Sequence, residues 1–329
     1  MTRRRTRGTI RSGHAPPAGA TPGGRLVSNH VVSVRSPYRL DLTVSVLRRL
    51  STNLVDVLTP DGEYVRALGG SAEPVIVRVR QSHPETLAVT IEGDAREHAR
   101  ALAVARRMLG VEIDLGRFYQ SAARIQWLHP LAVRMRGVKP PRYPTLWEAC
   151  VNAIVFQQIS LLAATAVMRR LVMALGQSLD RDGLRLYCFP SVEHVQGAED
   201  AVLRAAGLSA GKIATLRRVG DALGSGVLDE AMLERRSSPA AAALLRGIKG
   251  IGPWTAAVIL LRGLGRLDVF PANDTSVARN LALVAGSAPF DIDAVLETLG
   301  AERGMLYYHL LLARLEARGD AGRASSTRA

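Results

Sequence analysis

One glycine-rich segment constrains the fold of this 329-residue chain more strongly than any other feature. Residues Gly247–Gly252 have the sequence GIKGIG, and Pro253 and Trp254 follow directly. Upstream, Ser238 followed by Pro239 is typical of a helix start, with the serine as the cap. Pro253 likewise fits the first position of a second helix. The segment therefore predicts two helices joined by a tight glycine hairpin.

The hairpin has two interpretations. Glycine lets the backbone approach a ligand and present N–H groups at a helix N-terminus, where phosphate oxygens bind well. Close packing of two helices requires glycine too. The formal net charge of +14 and the pI of about 10.8 favour a polyanionic partner, most simply nucleic acid.

The positive charge is concentrated at the N-terminus. Residues 1–36 hold seven arginines and no acidic residue, and they lack periodicity. We predict that residues 1–35 are a disordered basic tail and that residues 317–329 form a second disordered tail. The basic tail either contacts phosphates or is simply solvated; an organellar transit peptide is a third alternative.

Composition argues against several other classes of protein. Cys150 and Cys188 are too few for a disulfide framework or a four-cysteine metal site. No apolar run reaches the length of a membrane span, and no secretory signal opens the chain. We expect a cytoplasmic, nucleoid-associated monomer without membrane contact, or an organellar or nuclear protein if the source is eukaryotic.

The first part of the chain resembles a small α+β unit. Apolar residues alternate in Arg39–Val46, Val75–Arg80 and Leu87–Glu92, a pattern typical of half-buried strands. Residues 60–62 have the turn sequence Pro-Asp-Gly, and Asp94 can cap a helix that runs to about residue 109. We predict an antiparallel sheet with one helix over residues 36–110, followed by helical domains over residues 111–316.

Two adjacent glutamines interrupt the next apolar stretch. Thr145 and Glu148 fit a capping box at its start. Gln157 and Gln158 then precede Ser160, which can cap a second helix over residues 161–175. A polar pair at a helix break is either a surface kink or a loop that meets a ligand.

Four segments together resemble a known family. They are GIGPWTA (residues 250–256), DVFPAND (268–274), AIVFQQIS (153–160) and YCFPSVEHV (187–195). The chain resembles the helix-hairpin-helix (HhH-GPD) superfamily of base-excision DNA glycosylases, in its AlkA-like 3-methyladenine branch, over roughly residues 36–316. The resemblance implies an α+β protein, mainly helical, with a small N-terminal antiparallel-sheet domain.

The resemblance also implies residue roles. Asp274 matches the catalytic aspartate, Trp254 the tryptophan against the target nucleotide, and Gln158 the residue wedged into the duplex, which is apolar in AlkA-like enzymes. Because Asp274 precedes a helical stretch, Thr275–Val284, it is alternatively a helix cap. Trp254 is alternatively a core residue. Further substrate contacts are expected at Gln157, Val258, Met305 and Tyr308, and DNA contacts at Gly247, Lys249, Gly250, Ile251, Gly252 and Thr255.

The implied chemistry is hydrolysis of a glycosidic bond in double-stranded DNA that contains damaged bases. The nucleotide must be flipped out of the stack, and a fixed carboxylate then stabilises the positive charge that grows on the sugar. Strand-cutting relatives place a lysine nucleophile where this chain has Trp254, so we expect a monofunctional enzyme. Two alternatives remain open, namely a non-catalytic DNA-binding module and a bifunctional glycosylase/lyase.

The aromatic residues expected in such a pocket are partly missing. AlkA-like enzymes have aromatics at the positions of Val258 and Met305, so the lesion preference of this chain is open. Tyr307 and Tyr308 lie nearby and can compensate. The resemblance implies no cofactor, apart from a structural Na⁺ or K⁺ ion at the backbone of Gly247, Gly250 and Gly252.

Overall fold

The N-terminal unit is a five-stranded antiparallel sheet with a helix on one face. The computed structural model describes residues 26–69, 73–272, 275–286, 291–322 and 325. The strands are β1 (Leu26–Ser33), β2 (Val57–Leu58), β3 (Tyr64–Leu68), β4 (Val75–His83) and β5 (Thr86–Gly93), and the helices are α1 (Leu40–Arg48) and α2 (Ala95–Met108). The strand order in the sheet is β1-β5-β4-β3-β2.

The expected disorder of residues 1–35 is wrong for the described residues that begin at Leu26. Strand β1 pairs with β5 along its whole length, from Leu26 opposite Gly93 to Ser33 opposite Thr86. Val32 is 2% exposed. The sheet therefore starts ahead of the predicted boundary at residue 36. The strand was missed because it is an edge strand, exposed on one face, in a segment that also carries polar residues.

The strand expected at Arg39–Val46 is also wrong, because Leu40–Arg48 forms helix α1. Eight of its nine residues are buried, so apolar spacing carries no information about its period. Its two hydroxyl side chains bond to the backbone one turn earlier: Thr43 Oγ1 donates to the Arg39 carbonyl and Ser45 Oγ to the Asp41 carbonyl.

Among the described residues after α2, the regular structure is helical except for one two-stranded hairpin. The predicted caps Asp94, Thr145 and Ser160 each accept a backbone N–H. The elements are α3 (Gly116–Ala122), α4 (His129–Arg134), α5 (Leu146–Val155), α6 (Leu161–Leu175), β6 (Ser178–Arg181), β7 (Leu184–Tyr187), α7 (Val192–Gly197), α8 (Asp200–Ala205), α9 (Ala210–Gly224), α10 (Glu230–Glu234), α11 (Ser238–Arg246), α12 (Pro253–Gly263), α13 (Thr275–Ala285), α14 (Ile292–Leu299), a 3-10 turn (Gly300–Glu302) and α15 (Gly304–Ala317).

The predicted glycine hairpin joins α11 to α12. Helix α11 starts one residue earlier than expected, since Ser237 rather than Ser238 is its cap and accepts the N–H of Ala240. Gly247 ends α11, and Gly252 is the N-cap of α12. The order helix, hairpin, helix is confirmed.

The expected disorder of residues 317–329 is wrong for the described part of that segment. Gly322 N donates to Ser45 Oγ at 2.8 Å, and Ser325 N donates to the Leu58 carbonyl at 2.7 Å. Arg48 Nη1 donates to Ser325 Oγ at 3.2 Å. This end of the chain therefore packs against α1 and β2, through polar contacts that carry no periodic signal.

A buried ion pair joins the sheet to the helical part. Arg66 on β3 is 2% exposed and contacts Asp56 at 2.6 Å and Glu148 on α5 at 2.5 Å. Burial raises the pKa of Glu148, and Arg66 opposes that effect. Within the part of the chain that the structure describes, every helix is too short or too polar to cross a bilayer.

Candidate DNA-binding and base-excision site

Glycine is required at one position of the hairpin for steric reasons and leaves a helix end uncovered at another. Gly250 has φ +103°, and a Cβ there would lie 2.0 Å from Thr215 Oγ1 on α9. Only glycine fits this position without a shift of the neighbouring helix. Gly252 has φ −88° and open space around it, and α12 has no side-chain cap. The N-terminus of α12 is therefore left open to a ligand.

The tip of the hairpin faces solvent. Lys249 and Gly250 are exposed, whereas Ile251 is 5% exposed and anchors the turn in the helical core. Arg218 Nη1 donates to the Lys249 carbonyl at 3.3 Å, which adds a second cation to the same tip. The expected DNA contact through Ile251 is therefore limited to its backbone, because its side chain is buried.

Gln157 lies against the hairpin instead of pointing outward. Its Nε2 atom donates to the Gly250 carbonyl at 3.0 Å and to Thr255 Oγ1 at 2.6 Å. Thr255 is 2% exposed. The Thr255 side chain is thus buried, which limits its expected DNA contact to the backbone, whereas the expected substrate contact of the half-buried Gln157 stays a prediction.

Gln158 is held outward by its backbone. It is exposed and has φ +57°, a conformation uncommon for a residue other than glycine. Lys212 Nζ on α9 donates to the carbonyls of Val155 and Gln157 at 2.8 and 2.9 Å, which fixes the loop just before Gln158. Burial lowers the pKa of Lys212. Sequence reasoning missed Lys212, because a lysine in the first turn of a helix carries no distinctive signal.

Trp254 lies on the first turn of α12, two residues after Gly252. Its side chain is half-buried and packs against the helical core cluster, so one indole can serve both the core and a ligand. The described chain runs through Ala272 and resumes at Thr275. Asp274, the expected catalytic residue, lies outside the described residues.

Three expected substrate contacts are wrong for this conformation. Val258, Met305 and Tyr308 are at most 1% exposed and lie within the core. The Tyr308 hydroxyl donates to the Leu261 carbonyl at 3.2 Å, and burial raises its pKa. Residues with no accessible surface cannot touch a flipped nucleotide, and apolar or aromatic residues on a helix are as typical of a core as of a pocket.

Two of the three hairpin carbonyls expected to hold a monovalent cation already accept a hydrogen bond. The Gly250 carbonyl already accepts from Gln157, and the Gly252 carbonyl accepts from Ala256 N at 3.0 Å. Each of these two oxygens keeps one lone pair, and the expected ion stays a prediction. Among the described residues, no cluster of three or more His, Cys, Asp or Glu side chains suits a metal ion.

Comparison with known proteins identifies one family. Residues 151–299 match the sequence model of the HhH-GPD superfamily base excision DNA repair protein. That range contains the Gln157–Gln158 loop, the hairpin and Trp254.

Individual relatives carry related names. The chain is 30% identical over 234 residues to the probable bifunctional transcriptional activator/DNA repair enzyme AlkA of Mycobacterium tuberculosis, covering 68% of this chain and 45% of that protein. It is 34% identical over 134 residues to DNA-3-methyladenine glycosylase 1 of Schizosaccharomyces pombe, covering 40% and 54%. The chain thus spans about half the length of these relatives.

A solved structure extends the similarity of fold. The 3-methyladenine DNA-glycosylase from Archaeoglobus fulgidus superposes with a TM-score of 0.72 at 24% identity. The match covers 87% of this chain and 99% of that one, so the N-terminal sheet and the helical part share one known arrangement.

Proposed function

Because this chain belongs to the HhH-GPD superfamily of base excision DNA repair proteins, we propose that it is a monofunctional DNA glycosylase. It hydrolytically excises alkylated purines of the 3-methyladenine type from double-stranded DNA. The observation that carries the proposal is the Gln157 link, which ties the Gln158 loop to the hairpin and to Thr255, the residue after Trp254. One contact thus couples a candidate flipping element to a candidate phosphate-binding element.

The hairpin binds the DNA backbone in this proposal. The open N-terminus of α12 offers backbone N–H groups to a phosphate, and Lys249 adds a charge at the exposed tip. Such contacts position the protein without reading sequence. They suit an enzyme that must find rare lesions in any sequence.

Gln158 and Trp254 handle the target nucleotide. A glycosylase must extrude the base from the stack, and the exposed Gln158 side chain enters the gap that is left. Trp254 supplies a flat aromatic face beside the hairpin. N-alkylated purines carry positive charge, and an indole attracts a cationic ring.

Asp274 performs the chemistry in this proposal. As the glycosidic bond breaks, positive charge develops on the sugar, and a fixed carboxylate lowers the barrier by stabilising that charge. The same carboxylate orients the attacking water. N-alkylation already makes the base a good leaving group, so a single acid suffices.

The remaining properties follow from the same proposal. The partner is duplex DNA with damaged bases, the enzyme acts as a monomer, and no dissociable cofactor takes part. We place it with the nucleoid in the cytoplasm of a prokaryote, or in the nucleus or an organelle of a eukaryote. A Na⁺ or K⁺ ion at the hairpin would only brace the backbone against a phosphate.

The direct test is to incubate the protein with methylated duplex DNA and identify the released bases by mass spectrometry. The proposal predicts free 3-methyladenine and abasic sites. The rival hypothesis of a non-catalytic DNA-binding module predicts retention of the duplex in a binding assay with no base released. That outcome would contradict the proposed function.

A further inference from the structure

Lys212, on the first turn of α9, holds the Gln158 loop (residues 156–160) from the protein side. Its Nζ atom donates to the carbonyls of Val155 and Gln157, at 2.8 and 2.9 Å. Val155 is the last residue of α5, so its carbonyl has no N–H of that helix to accept from, and a cation is favourable there. Lys212 is half-buried, and burial lowers the pKa of its ammonium. The charge is therefore directed at the backbone of the loop.

The bond to the Gln157 carbonyl acts on the conformation of Gln158. That carbonyl belongs to the peptide unit that ends at the nitrogen of Gln158, and φ of Gln158 measures the rotation of the residue against this unit. The φ of +57° lies in the left-handed region, which is unfavourable for a residue with a side chain. Fixing the peptide unit opposes the relaxation of the loop toward an ordinary φ. In this conformation the Gln158 side chain is exposed.

Later turns of α9 contact the hairpin. Thr215 and Arg218 follow Lys212 at intervals of three residues, so each lies about one turn beyond the previous one. A Cβ at Gly250 would lie 2.0 Å from Thr215 Oγ1, and Arg218 Nη1 donates to the Lys249 carbonyl at 3.3 Å. Six residues of helix correspond to ~9 Å along the axis. Helix α9 thus sets the spacing between the Gln158 loop and the hairpin.

Helix α9 is itself anchored in the core. Ile213, Leu216 and Val219 are at most 3% exposed and belong to the core cluster that also contains residues of α5 and α12. Ser209 caps the helix and accepts the backbone N–H of Lys212. A side chain on a rigid, capped helix can hold a loop at a fixed place.

We propose that Lys212 is a positioning residue for base flipping: it holds the peptide unit before Gln158 so that the Gln158 side chain enters the gap left by the extruded base. This inference rests on the flipping step of the proposed glycosylase function and adds a residue to it. The ammonium has three donors, and two of them are committed to backbone carbonyls at the loop. Lys212 therefore acts on the DNA through Gln158 and needs no contact with the target nucleotide.

The test compares one lesion in two contexts. 7-Methylguanine is placed opposite cytosine, where a base pair must open, and opposite an abasic-site analogue, where no pair opens. Single-turnover release from both duplexes is measured for wild type and for Lys212→Met, which keeps an unbranched apolar stem without donors. We expect release from the paired lesion to fall by about tenfold or more relative to release from the unpaired lesion. Both rates come from one preparation, so partial unfolding lowers both and leaves their ratio unchanged.

Two further variants separate the charge from the shape of the side chain. Lys212→Arg keeps a cation with several donors and should retain most of the wild-type ratio. Lys212→Gln keeps one neutral amide and should lie between wild type and Lys212→Met. A purely structural role for Lys212 predicts this order in the melting temperature and not in the ratio of release rates.

Lys139→Met is the matched control. Lys139 is 1% exposed, and its Nζ atom also donates to a backbone carbonyl, that of Ile113, at 2.7 Å. Its backbone N–H donates to Thr43 Oγ1 on α1, so this lysine lies against the N-terminal unit. We expect Lys139→Met to lower the melting temperature and to leave the ratio of the two release rates unchanged.

A second measurement reports flipping without the chemical step. 2-Aminopurine beside the lesion becomes brighter when stacking at that position is lost. Binding of wild type should raise its fluorescence in the paired duplex, and Lys212→Met should raise it much less when the duplex is equally saturated with protein.

The outcomes distinguish this inference from the proposed function. An unchanged ratio of release rates in Lys212→Met would overturn the positioning role and leave the glycosylase proposal standing. A fluorescence rise that depends on Lys212, without release of any base by wild type, would contradict the glycosylase proposal and support the flipping role. If wild type neither releases a base nor raises the fluorescence, both fail.

Discussion

The Nε2 atom of Gln157 lies 2.6 Å from Oγ1 of Thr255, and this contact joins the loop between α5 and α6 to the first turn of α12. Thr255 is 2% exposed and Gln157 is half-buried, so the bond lies at the edge of the helical core. The loop and the first turn of α12, almost a hundred residues apart in the chain, are thus held together at one place in the fold.

The first prediction concerns that contact. Gln157→Leu leaves the Gly250 carbonyl and the Thr255 hydroxyl without their partner, which should lower the free energy of unfolding by about 1–3 kcal/mol. DNA affinity should fall as well, because the hairpin and the loop become uncoupled. Chemical denaturation and a duplex-binding titration measure both effects.

Gln158→Gly is the control for this variant. Gln158 is exposed, and glycine adopts its positive φ without strain, so stability should be unchanged. Equal stability of Gln157→Leu and Gln158→Gly would show that the internal link contributes little.

A second prediction is that alanine destabilises the protein much more at Gly250 than at Gly252. Gly250→Ala places a Cβ 2.0 Å from Thr215 Oγ1 at φ +103°, so it should destabilise the protein by about 3 kcal/mol or more. Gly252→Ala meets open space at an ordinary φ and should cost at most about 1 kcal/mol. Thermal melts of the two variants measure the difference; similar melting temperatures would contradict the packing explanation.

His309 gives a prediction about pH. This residue of α15 is 0% exposed, and burial lowers its pKa to about 4, while its hydrogen bond to the Met305 carbonyl opposes the shift. In the unfolded chain the pKa returns to about 6.5. Between these values the unfolded state binds more protons, so stability decreases as the pH falls from about 6.5 to 4.

The expected size of this effect is about 2 kcal/mol between pH 7 and pH 5. Denaturant unfolding at the two pH values should show that His309→Phe reduces the pH-dependent loss of stability by that amount, whatever the carboxylates contribute to both proteins. The aromatic replacement keeps a ring against Phe118, whose centroid is 4.6 Å from that of His309. A loss of the same size in both proteins would mean that His309 is already charged in the fold.

The elements that could be predicted are those with local signals. Caps at Asp94, Thr145 and Ser160 are short-range hydrogen bonds between a side chain and a nearby N–H, so the sequence around them suffices. The glycine hairpin is equally local. Helix α1 could not be assigned correctly, because a helix that is buried all round has no polar face to reveal its period.

The site was less predictable than the fold, because its contacts join distant segments. The contact of Gln157 with the hairpin was not foreseen, and Val258 was expected in a pocket but lies in the core.

Strand cleavage provides a fourth prediction. Lyase chemistry needs a lysine amine at the sugar, and the family resemblance implies that this chain has Trp254 at that position. The nearby Lys249 lies at the exposed tip of the hairpin. Base release should therefore leave abasic sites without nicks, as a denaturing gel before and after alkali treatment will show. Borohydride trapping of a protein–DNA adduct at the level of base release would contradict this and favour a bifunctional enzyme.

The fifth prediction is the role of Asp274. Asn caps a helix about as well as Asp. The free energy of unfolding of Asp274→Asn should therefore lie within ~1 kcal/mol of the wild-type value, even if the residue is a cap. Loss of the charge should raise the barrier by on the order of 3 kcal/mol, which is roughly a hundredfold or more in rate. Affinity for DNA should be kept.

The most direct test of the central claim is single-turnover release of 3-methyladenine by wild type and Asp274→Asn, with thermal melts of both proteins. We predict normal melting and a loss of excision rate of roughly a hundredfold or more. A variant that melts normally and excises at close to the wild-type rate would show that Asp274 is only a helix cap, and it would contradict the glycosylase mechanism proposed for this protein.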